Sequence, residues 1–115
     1  MPVKLSANKY NNRKSLVDGI LFDSKKEADY YIVLKADKKA GKIEGFEIQP
    51  EFMLQEGFTK NGKRYRPIKY IADFKVAHND GNIEIIDTKG VITKEFAIKQ
   101  KLFEAKYPDL SLKII

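Results

Sequence analysis

The chain has 115 residues, of which 43% are hydrophobic and 33% are charged. This length and composition predict one globular domain, spanning residues 1–115, that buries a core without covalent cross-links. Because the sequence contains no cysteine, it excludes a disulfide framework, a cysteine-ligated metal site and a thiol nucleophile.

The sequence predicts a soluble protein of the cytoplasm with no membrane partner. Its longest uninterrupted apolar run, residues 30–34, has five residues, whereas a membrane-spanning helix needs about 20. The polar residues 1–10 do not have the apolar core of a secretory signal. The glycine spacing matches neither a P-loop nor a dinucleotide-binding motif, so no nucleotide cofactor is expected.

Positive charge is concentrated in two stretches, residues 1–17 and 57–72, neither of which contains Asp or Glu. The formal net charge of +6 favours polyanionic partners. Tyrosines lie among these cations, an arrangement that suits a nucleic-acid backbone and stacking on bases. Two solvated loops are the alternative interpretation. The cations predicted to bind DNA are Lys9, Arg13, Lys14, Lys60, Lys63, Arg64, Arg66 and Lys69.

In chain order, the first predicted elements are a hairpin and a helix. Asp18 and Gly19 between apolar pairs are a strong hairpin signal within residues 10–22. Ser24 suits the N-cap of a helix that ends at Gly41, a typical residue after a helix C-terminus.

Strands dominate the middle of the chain. Pro50 interrupts the first β-like stretch, which indicates an edge position or a bulge. A run rich in β-branched and aromatic residues follows, then a turn and a strand expected to be antiparallel to that run. The predicted strands are 43–55, 68–76 and 83–87, with turns at 60–63 and 79–82.

The last predicted elements are a helix that Thr93 caps and Pro108 ends, and a strand over residues 110–115. The predicted fold class is α/β, as an α+β mixed sheet, in the order ribbon, α, β, β, β, α, β. An N-terminal basic arm and hairpin would occupy residues 1–22, and the core would occupy residues 23–115.

Two aspartates on neighbouring predicted strands are candidate metal ligands. Asp73 lies among apolar residues, and the turn between the strands places it close to opposite Asp87. Carboxylates this close repel each other, and a divalent cation with oxygen ligands is the usual reason to keep them together. Lys89 shares the face of Asp87 if the strand extends that far, which puts an ammonium group beside the pair.

Glu27 is a third candidate carboxylate. With Tyr31 and Leu34 it occupies the helix stripe that is expected to face the sheet. The alternative is a structural role, because Glu27 also stands three residues after Ser24 in a capping box.

Glu27, Asp73 and Asp87-Thr88-Lys89, in this order of elements, resemble the PD-(D/E)xK, or restriction-endonuclease-like, superfamily. The likeness covers the chain from about residue 10 onward, with Ala72 where the superfamily has proline. It implies a restriction-endonuclease-like α-β-β-β-α-β core. Stretches similar to a small branch that phages and prophages encode lie at residues 22–27, 49–50, 70–74 and 87–90.

The resemblance also implies a role for each of these residues. Asp73, Asp87 and the backbone carbonyl of Thr88 would bind Mg²⁺ or Mn²⁺. Glu27 would join them directly or through a water. Lys89 would position or deprotonate the attacking water and offset charge in the transition state. The implied catalytic set is Asp73, Asp87, Lys89 and Glu27.

Two more residues are candidates for contact with DNA. Lys99 lies near the start of the second predicted helix, between two apolar clusters. It either reaches a phosphate or only extends its stem over apolar surface. Gln49 either lines the site or satisfies a strand edge.

These patterns are interpreted as those of a metal-dependent DNA endonuclease. It would be a Mg²⁺-dependent phosphodiesterase, phage-encoded, acting in DNA recombination, repair or processing in the host cell cytoplasm. Its partners would be DNA and, since small nucleases that cut two strands often work in pairs, a second copy of the chain. The alternatives are a non-catalytic DNA-binding module that retains the fold, and a phage factor directed at RNA or protein whose carboxylates are structural.

Overall fold

A computed structural model describes residues 14–115, which contain two α-helices and ten β-strands. The chain is a mixed α+β protein, as predicted. Its contacts divide it into two compact units, one that ends at Lys42 and one that runs from Ile43 to Ile115. No helix within the described residues is long and apolar enough to cross a membrane.

The first unit contains the predicted hairpin and helix. Its elements are β1 (Ser15–Val17), β2 (Ile20–Phe22) and α1 (Lys25–Lys39). Between β1 and β2, Asp18 and Gly19 take positive φ angles of 54° and 77°, as a type I′ hairpin turn requires. Residues 10–13 of the predicted hairpin lie outside the described range.

Helix α1 begins and ends where the sequence indicates. The Ser24 hydroxyl accepts a hydrogen bond of 3.1 Å from the Glu27 amide, which satisfies one of the free amides of the first turn. At the other end, Gly41 takes a φ of 78°, the left-handed conformation that ends many helices. The buried side chains of this helix are Glu27, Ala28, Tyr31 and Leu34.

The second unit holds the remaining strands and the second helix. Its first strands are β3 (Ile43–Ile48), β4 (Glu51–Gln55), β5 (Phe58–Lys60), β6 (Lys63–Tyr65) and β7 (Ile68–Ile71). They are followed by β8 (Phe74–His78), β9 (Ile83–Asp87), α2 (Lys94–Lys106) and β10 (Ser111–Ile114). Thr93 caps α2 through a hydrogen bond of 3.0 Å from the Phe96 amide, which confirms the predicted helix start.

Four of these strands form a sheet in the order β10-β9-β8-β3. β8 is antiparallel to both of its neighbours, β3 and β9, and its pairing with β9 is as predicted for the strands on either side of the turn at 79–82. β10 pairs with β9 in parallel, which α2 makes possible because a parallel pair needs a crossover connection. The carboxyl end of β9 therefore lies beside that of β10.

The prediction of one strand over residues 68–76 is wrong, because the strand is broken at Ala72 and Asp73 into β7 and β8. The stretch that pairs with it, residues 43–55, is also broken, at Gln49 and Pro50, into β3 and β4. Pro50 has no N–H, and Gln49 takes a left-handed φ of 50°. Hydrogen bonds from the Gln49 amide to the Asp73 carbonyl (2.8 Å) and from the Ala72 amide to the Pro50 carbonyl (3.1 Å) hold the two breaks together. Asp73 therefore lies at the bend between the β4–β7 pair and the β3–β8 pair.

Residues 57–66 form a hairpin where the sequence predicts only a turn. β5 and β6 pair antiparallel around Asn61 and Gly62, whose φ angles are 51° and 76°. All six residues in these two strands are exposed.

Aromatic residues from β4, β7 and α2 form the core beside this bend. Phe103 is fully buried, and its ring lies 5.0 Å from that of Phe52 and 5.6 Å from that of Tyr70. Phe96 and Tyr107 extend the cluster along α2. This packing fixes the first turns of α2 next to the ends of β7 and β9.

Candidate active site

Asp73 and Asp87 lie opposite each other at the bend. Phe74 pairs with Ile86 in the β8–β9 register, and one step further the Asp73 amide donates to the Ile86 carbonyl at 3.1 Å. This register confirms the predicted placement of the two aspartates. The Asp87 side chain is only 2% exposed, and Asp73 is half-buried. The structure therefore brings two carboxylates together in a setting where water screens their charges poorly.

Thr88 orients the Asp73 carboxylate. Its backbone amide and its hydroxyl both donate to Asp73 Oδ2, each at 2.7 Å. Two short bonds to one oxygen fix that oxygen. These bonds set the direction of the Asp73 carboxylate.

Tyr70 orients the Asp87 carboxylate from the opposite side. Its phenol donates a hydrogen bond to Asp87 Oδ2 within the core. Burial, and after it this hydrogen bond, raises the pKa of the Tyr70 phenol, so the phenol keeps its proton and stays a donor.

Burial raises the pKa of Asp87 to about 6 from its ordinary value of 3.8. The hydrogen bond from Tyr70 and the charge of Lys89 lower the pKa, whereas the nearby Asp73 carboxylate raises it. The pair thus carries a charge conflict that a bound cation would relieve.

Lys89 lies beside the pair, as predicted. Its ammonium is 3.6 Å from Asp87 Oδ1 and 4.5 Å from the centroid of the Phe96 ring. The backbone from Asp87 to Lys89 remains paired with the chain just after β10. The Ile115 amide donates to the Asp87 carbonyl at 3.0 Å, and the Lys89 amide donates to the Ile115 carbonyl at 3.1 Å. Asp87 and Lys89 therefore emerge on the same side.

A cleft of about 350 Å³ opens next to these groups. Tyr70 and Lys89, which both contact Asp87, are part of its lining, and so is Lys99 from α2. The Lys99 ammonium is 3.5 Å from Glu95 one turn earlier. The full lining is Lys69, Tyr70, Ile71, Lys89, Thr93, Glu95, Phe96 and Lys99.

In residues 14–115, no three or more Asp, Glu or His side chains come together as a metal-binding group. The carboxylate pair still suits Mg²⁺, because Mg²⁺ usually binds proteins through one or two carboxylates and keeps several waters. The Thr88 carbonyl stays a predicted ligand. Its amide and hydroxyl have a different role, as donors to Asp73.

Glu27 belongs to the first unit, and its predicted role in the site stays a prediction. The side chain is 3% exposed. Its backbone amide donates to the Ser24 hydroxyl, as the capping-box interpretation predicts for this amide.

Gln49 lies next to Asp73 through its backbone. Its amide donates to the Asp73 carbonyl, and its left-handed φ marks the bend. The side chain is exposed. Whether the side chain serves the site or the strand edge stays a prediction.

The predicted DNA-binding cations fall into separate groups. Those at Lys60, Lys63, Arg64 and Arg66 lie on or beside the exposed β5–β6 hairpin. Lys69 is 2.9 Å from Glu51 and lines the cleft, whereas Lys14 is 3.0 Å from Asp23 in the first unit. Lys9 and Arg13 lie outside the described residues.

Sequence reasoning missed Tyr70, Phe96 and the side chain of Thr88 as parts of the site. Tyr70 was a recognisable candidate for some polar contact, because a buried tyrosine hydroxyl usually has a partner. Its partner was not recognisable, since the sequence did not predict the break that separates β7 from β8. The Thr88 hydroxyl directly follows Asp87, but only the β8–β9 register turns it towards Asp73.

Residues 7–115 match the family described as "Protein of unknown function (DUF1064)", and the chain belongs to this family. No curated protein and no solved structure gave a significant match.

Proposed function

We propose that this chain is a metal-dependent DNA endonuclease that hydrolyses phosphodiester bonds. The observation that carries the proposal is the opposed pair Asp73 and Asp87, with the Lys89 ammonium 3.6 Å from Asp87. Hydrogen bonds from Tyr70 and Thr88 hold the pair in place. A structural ion pair would require one carboxylate for one ammonium, so a second carboxylate at this position favours a ligand of higher charge.

The order of elements supports the same proposal. α1 is followed by β3, β8 and β9 and then by α2 and β10, with β10 parallel to β9. This order is similar to the α-β-β-β-α-β core that the superfamily resemblance implies. The ribbons β4–β7 and β5–β6 would be additions to that core between its first and second strands.

Asp73 and Asp87 are the residues that would hold Mg²⁺ or Mn²⁺. When bound, such an ion supplies a water of lowered pKa and offsets negative charge on a phosphate. Thr88 fixes Asp73 Oδ2, and Tyr70 fixes Asp87 Oδ2. Each aspartate thereby presents its other oxygen in a defined direction, which keeps the cost of organising the site low.

Lys89 provides positive charge where the scissile phosphate would lie. Its contact with the Phe96 ring holds the ammonium beside another residue that lines the cleft. There it can donate to a phosphate oxygen as negative charge grows in the transition state. Lys99 lines the same cleft and would bind a neighbouring phosphate. Glu27 stays the predicted third acid.

The second candidate function is a non-catalytic DNA-binding module. It is favoured by the finding that the second unit, residues 43–115, brings no third carboxylate to the pair. In this case Lys89 would neutralise Asp87, and the exposed cations alone would bind phosphates.

A cleavage assay separates these functions. Linear, nicked and branched DNA are incubated with the full-length protein in Mg²⁺ or Mn²⁺, beside Asp73→Asn, Lys89→Ala and the matched control Lys101→Ala, an exposed α2 residue. The endonuclease proposal expects cleavage by the wild type and the control only, with a loss of about 100-fold or more in both site variants. DNA binding without cleavage of any substrate would favour the binding module.

A further inference from the structure

Phe58 and Tyr65 form an exposed aromatic pair on the β5–β6 hairpin. They are direct partners in the register, with ring centroids 4.7 Å apart and ring planes within 13° of parallel. Phe58 is nevertheless 40% exposed and Tyr65 38% exposed. Two stacked rings on a protruding hairpin leave aromatic surface open to a third flat group.

The hairpin is also strongly basic. Residues 58–66 contain four cations and no acid. Within the described part of the chain, no carboxylate lies at ion-pair distance from any of these four, in contrast to Lys69, which pairs with Glu51. Lys63 holds its ammonium 5.1 Å from the centroid of the Tyr65 ring. The four cations are Lys60, Lys63, Arg64 and Arg66.

The stability of the hairpin explains the aromatic pair but not the cations. An aromatic cross-strand pair stabilises a two-stranded ribbon, which by itself is only marginally stable in water. The same register places Lys60 directly opposite Lys63, and like charges in that position destabilise a hairpin. A polyanion bound along the hairpin would remove this repulsion.

We infer that the β5–β6 hairpin binds the unpaired bases of a single DNA strand. One base stacks on the exposed surface of the Phe58–Tyr65 pair, and Lys60 and Lys63, which alternate onto the same face of the hairpin, bind the neighbouring phosphates. Bases in a duplex already stack on each other, so aromatic surface of this kind adds affinity only where a strand is unpaired. The inference rests on the proposed function, because it names the substrate as DNA with a single-stranded segment.

The test measures binding without cleavage. Fluorescence anisotropy follows the full-length protein binding to a labelled oligothymidine of about 20 nucleotides and to a duplex of the same length, in EDTA. The test variant is Phe58→Leu with Tyr65→Leu, which keeps an apolar cross-strand pair but removes the rings. The control is Phe58→Tyr with Tyr65→Phe, which exchanges the two rings and keeps the stack.

The wild type and the ring-exchange control are expected to bind the single strand more tightly than the duplex. In the leucine variant, single-strand affinity should fall by about tenfold or more while duplex affinity changes by less than about twofold. Unchanged single-strand affinity in the leucine variant would overturn the inference. So would an equal loss on both DNAs, because it would indicate damage to the hairpin and not loss of stacking.

A second measurement uses the wild type alone and so does not depend on the variant folding. An abasic strand of the same length has the phosphates but no bases to stack. Binding about tenfold weaker than to oligothymidine supports the inference, and equal binding contradicts it. Since both measurements are made in EDTA, they can fail while DNA cleavage is observed, or succeed while no cleavage is found.

Discussion

Tyr70 donates a hydrogen bond to Asp87 from within the aromatic core. The phenol belongs to β7 and the carboxylate ends β9, so this bond joins the packing of α2 to the candidate site. A core residue therefore sets the direction of a site residue. Changes to this tyrosine should alter the site and the stability together, in a way that depends on pH.

Tyr70→Phe keeps the ring and removes the donor. Asp87 then loses a contact that lowers its pKa, so the change destabilises the folded protein mainly when Asp87 is ionised. We expect a loss of about 2 kcal/mol in the free energy of unfolding at pH 8 and a much smaller loss below pH 4. Urea denaturation at the two pH values measures the difference.

The matched control is Tyr107→Phe, which removes a hydroxyl that donates to the neutral Met53 carbonyl at 2.9 Å. Its cost should be the same at both pH values. If Tyr70→Phe behaved in the same pH-independent way, the bond to an ionised Asp87 would be refuted.

The pKa of Asp87 also predicts how stability changes with pH in EDTA. The folded-state pKa of about 6 lies above the ordinary value of 3.8, so the folded protein binds the proton more tightly than the unfolded chain. This contribution is fully present below about pH 4 and is lost as the pH rises through 6. Relative to Asp87→Asn, the wild type should lose about 2 kcal/mol between pH 4 and pH 7.5.

Denaturation curves of the two proteins at several pH values measure this difference. Asp87→Asn should be the more stable protein at pH 7.5. A constant difference across the range would show that Asp87 titrates normally.

Thr88 offers a test of the orientation of Asp73. Thr88→Val removes the hydroxyl that donates to Asp73 Oδ2 at 2.7 Å, whereas Thr88→Ser keeps it. We expect the valine variant to lose about 1 kcal/mol of stability and most of its affinity for Mn²⁺, and the serine variant to retain both. Thermal unfolding with and without Mn²⁺ measures both effects, and equal Mn²⁺ stabilisation in the two variants would argue against this orienting role.

Lys99→Ala tests whether the cleft binds a phosphate. The change should reduce the slope of log affinity against log salt concentration by about one, whereas Lys101→Ala on the same helix should change it by less. The measurement is DNA binding at several salt concentrations in EDTA. An unchanged slope would indicate that Lys99 only pairs with Glu95, as it does without DNA.

Local signals in the sequence were enough for most elements. Ser24 and Thr93 cap their helices because a hydroxyl at that position accepts a hydrogen bond from a free amide of the first turn. Asp18 and Gly19 form the hairpin turn because both residues tolerate positive φ. The opposition of Asp73 and Asp87 was also predictable, since it follows from the length of one turn. Such features depend on residues that are close in the chain.

Features that depend on distant residues were not predictable. Residues 68–76 have strong strand propensity, and the break at Asp73 arises opposite Pro50 on the partner strand. The bond between Tyr70 and Asp87 likewise depends on this break, which separates β7 from β8. Sequence reasoning thus identified the acids of the candidate site and missed the groups that hold them.

The proposed metal site stands or falls on whether Asp73 and Asp87 together bind a divalent cation. Electron paramagnetic resonance of free Mn²⁺, titrated with the full-length protein at neutral pH, measures binding without relying on DNA or activity. We expect that the wild type and Lys101→Ala bind Mn²⁺, that excess Mg²⁺ displaces it, and that Asp73→Asn and Asp87→Asn each abolish binding. Equal binding of Mn²⁺ by the wild type and both aspartate variants would contradict it.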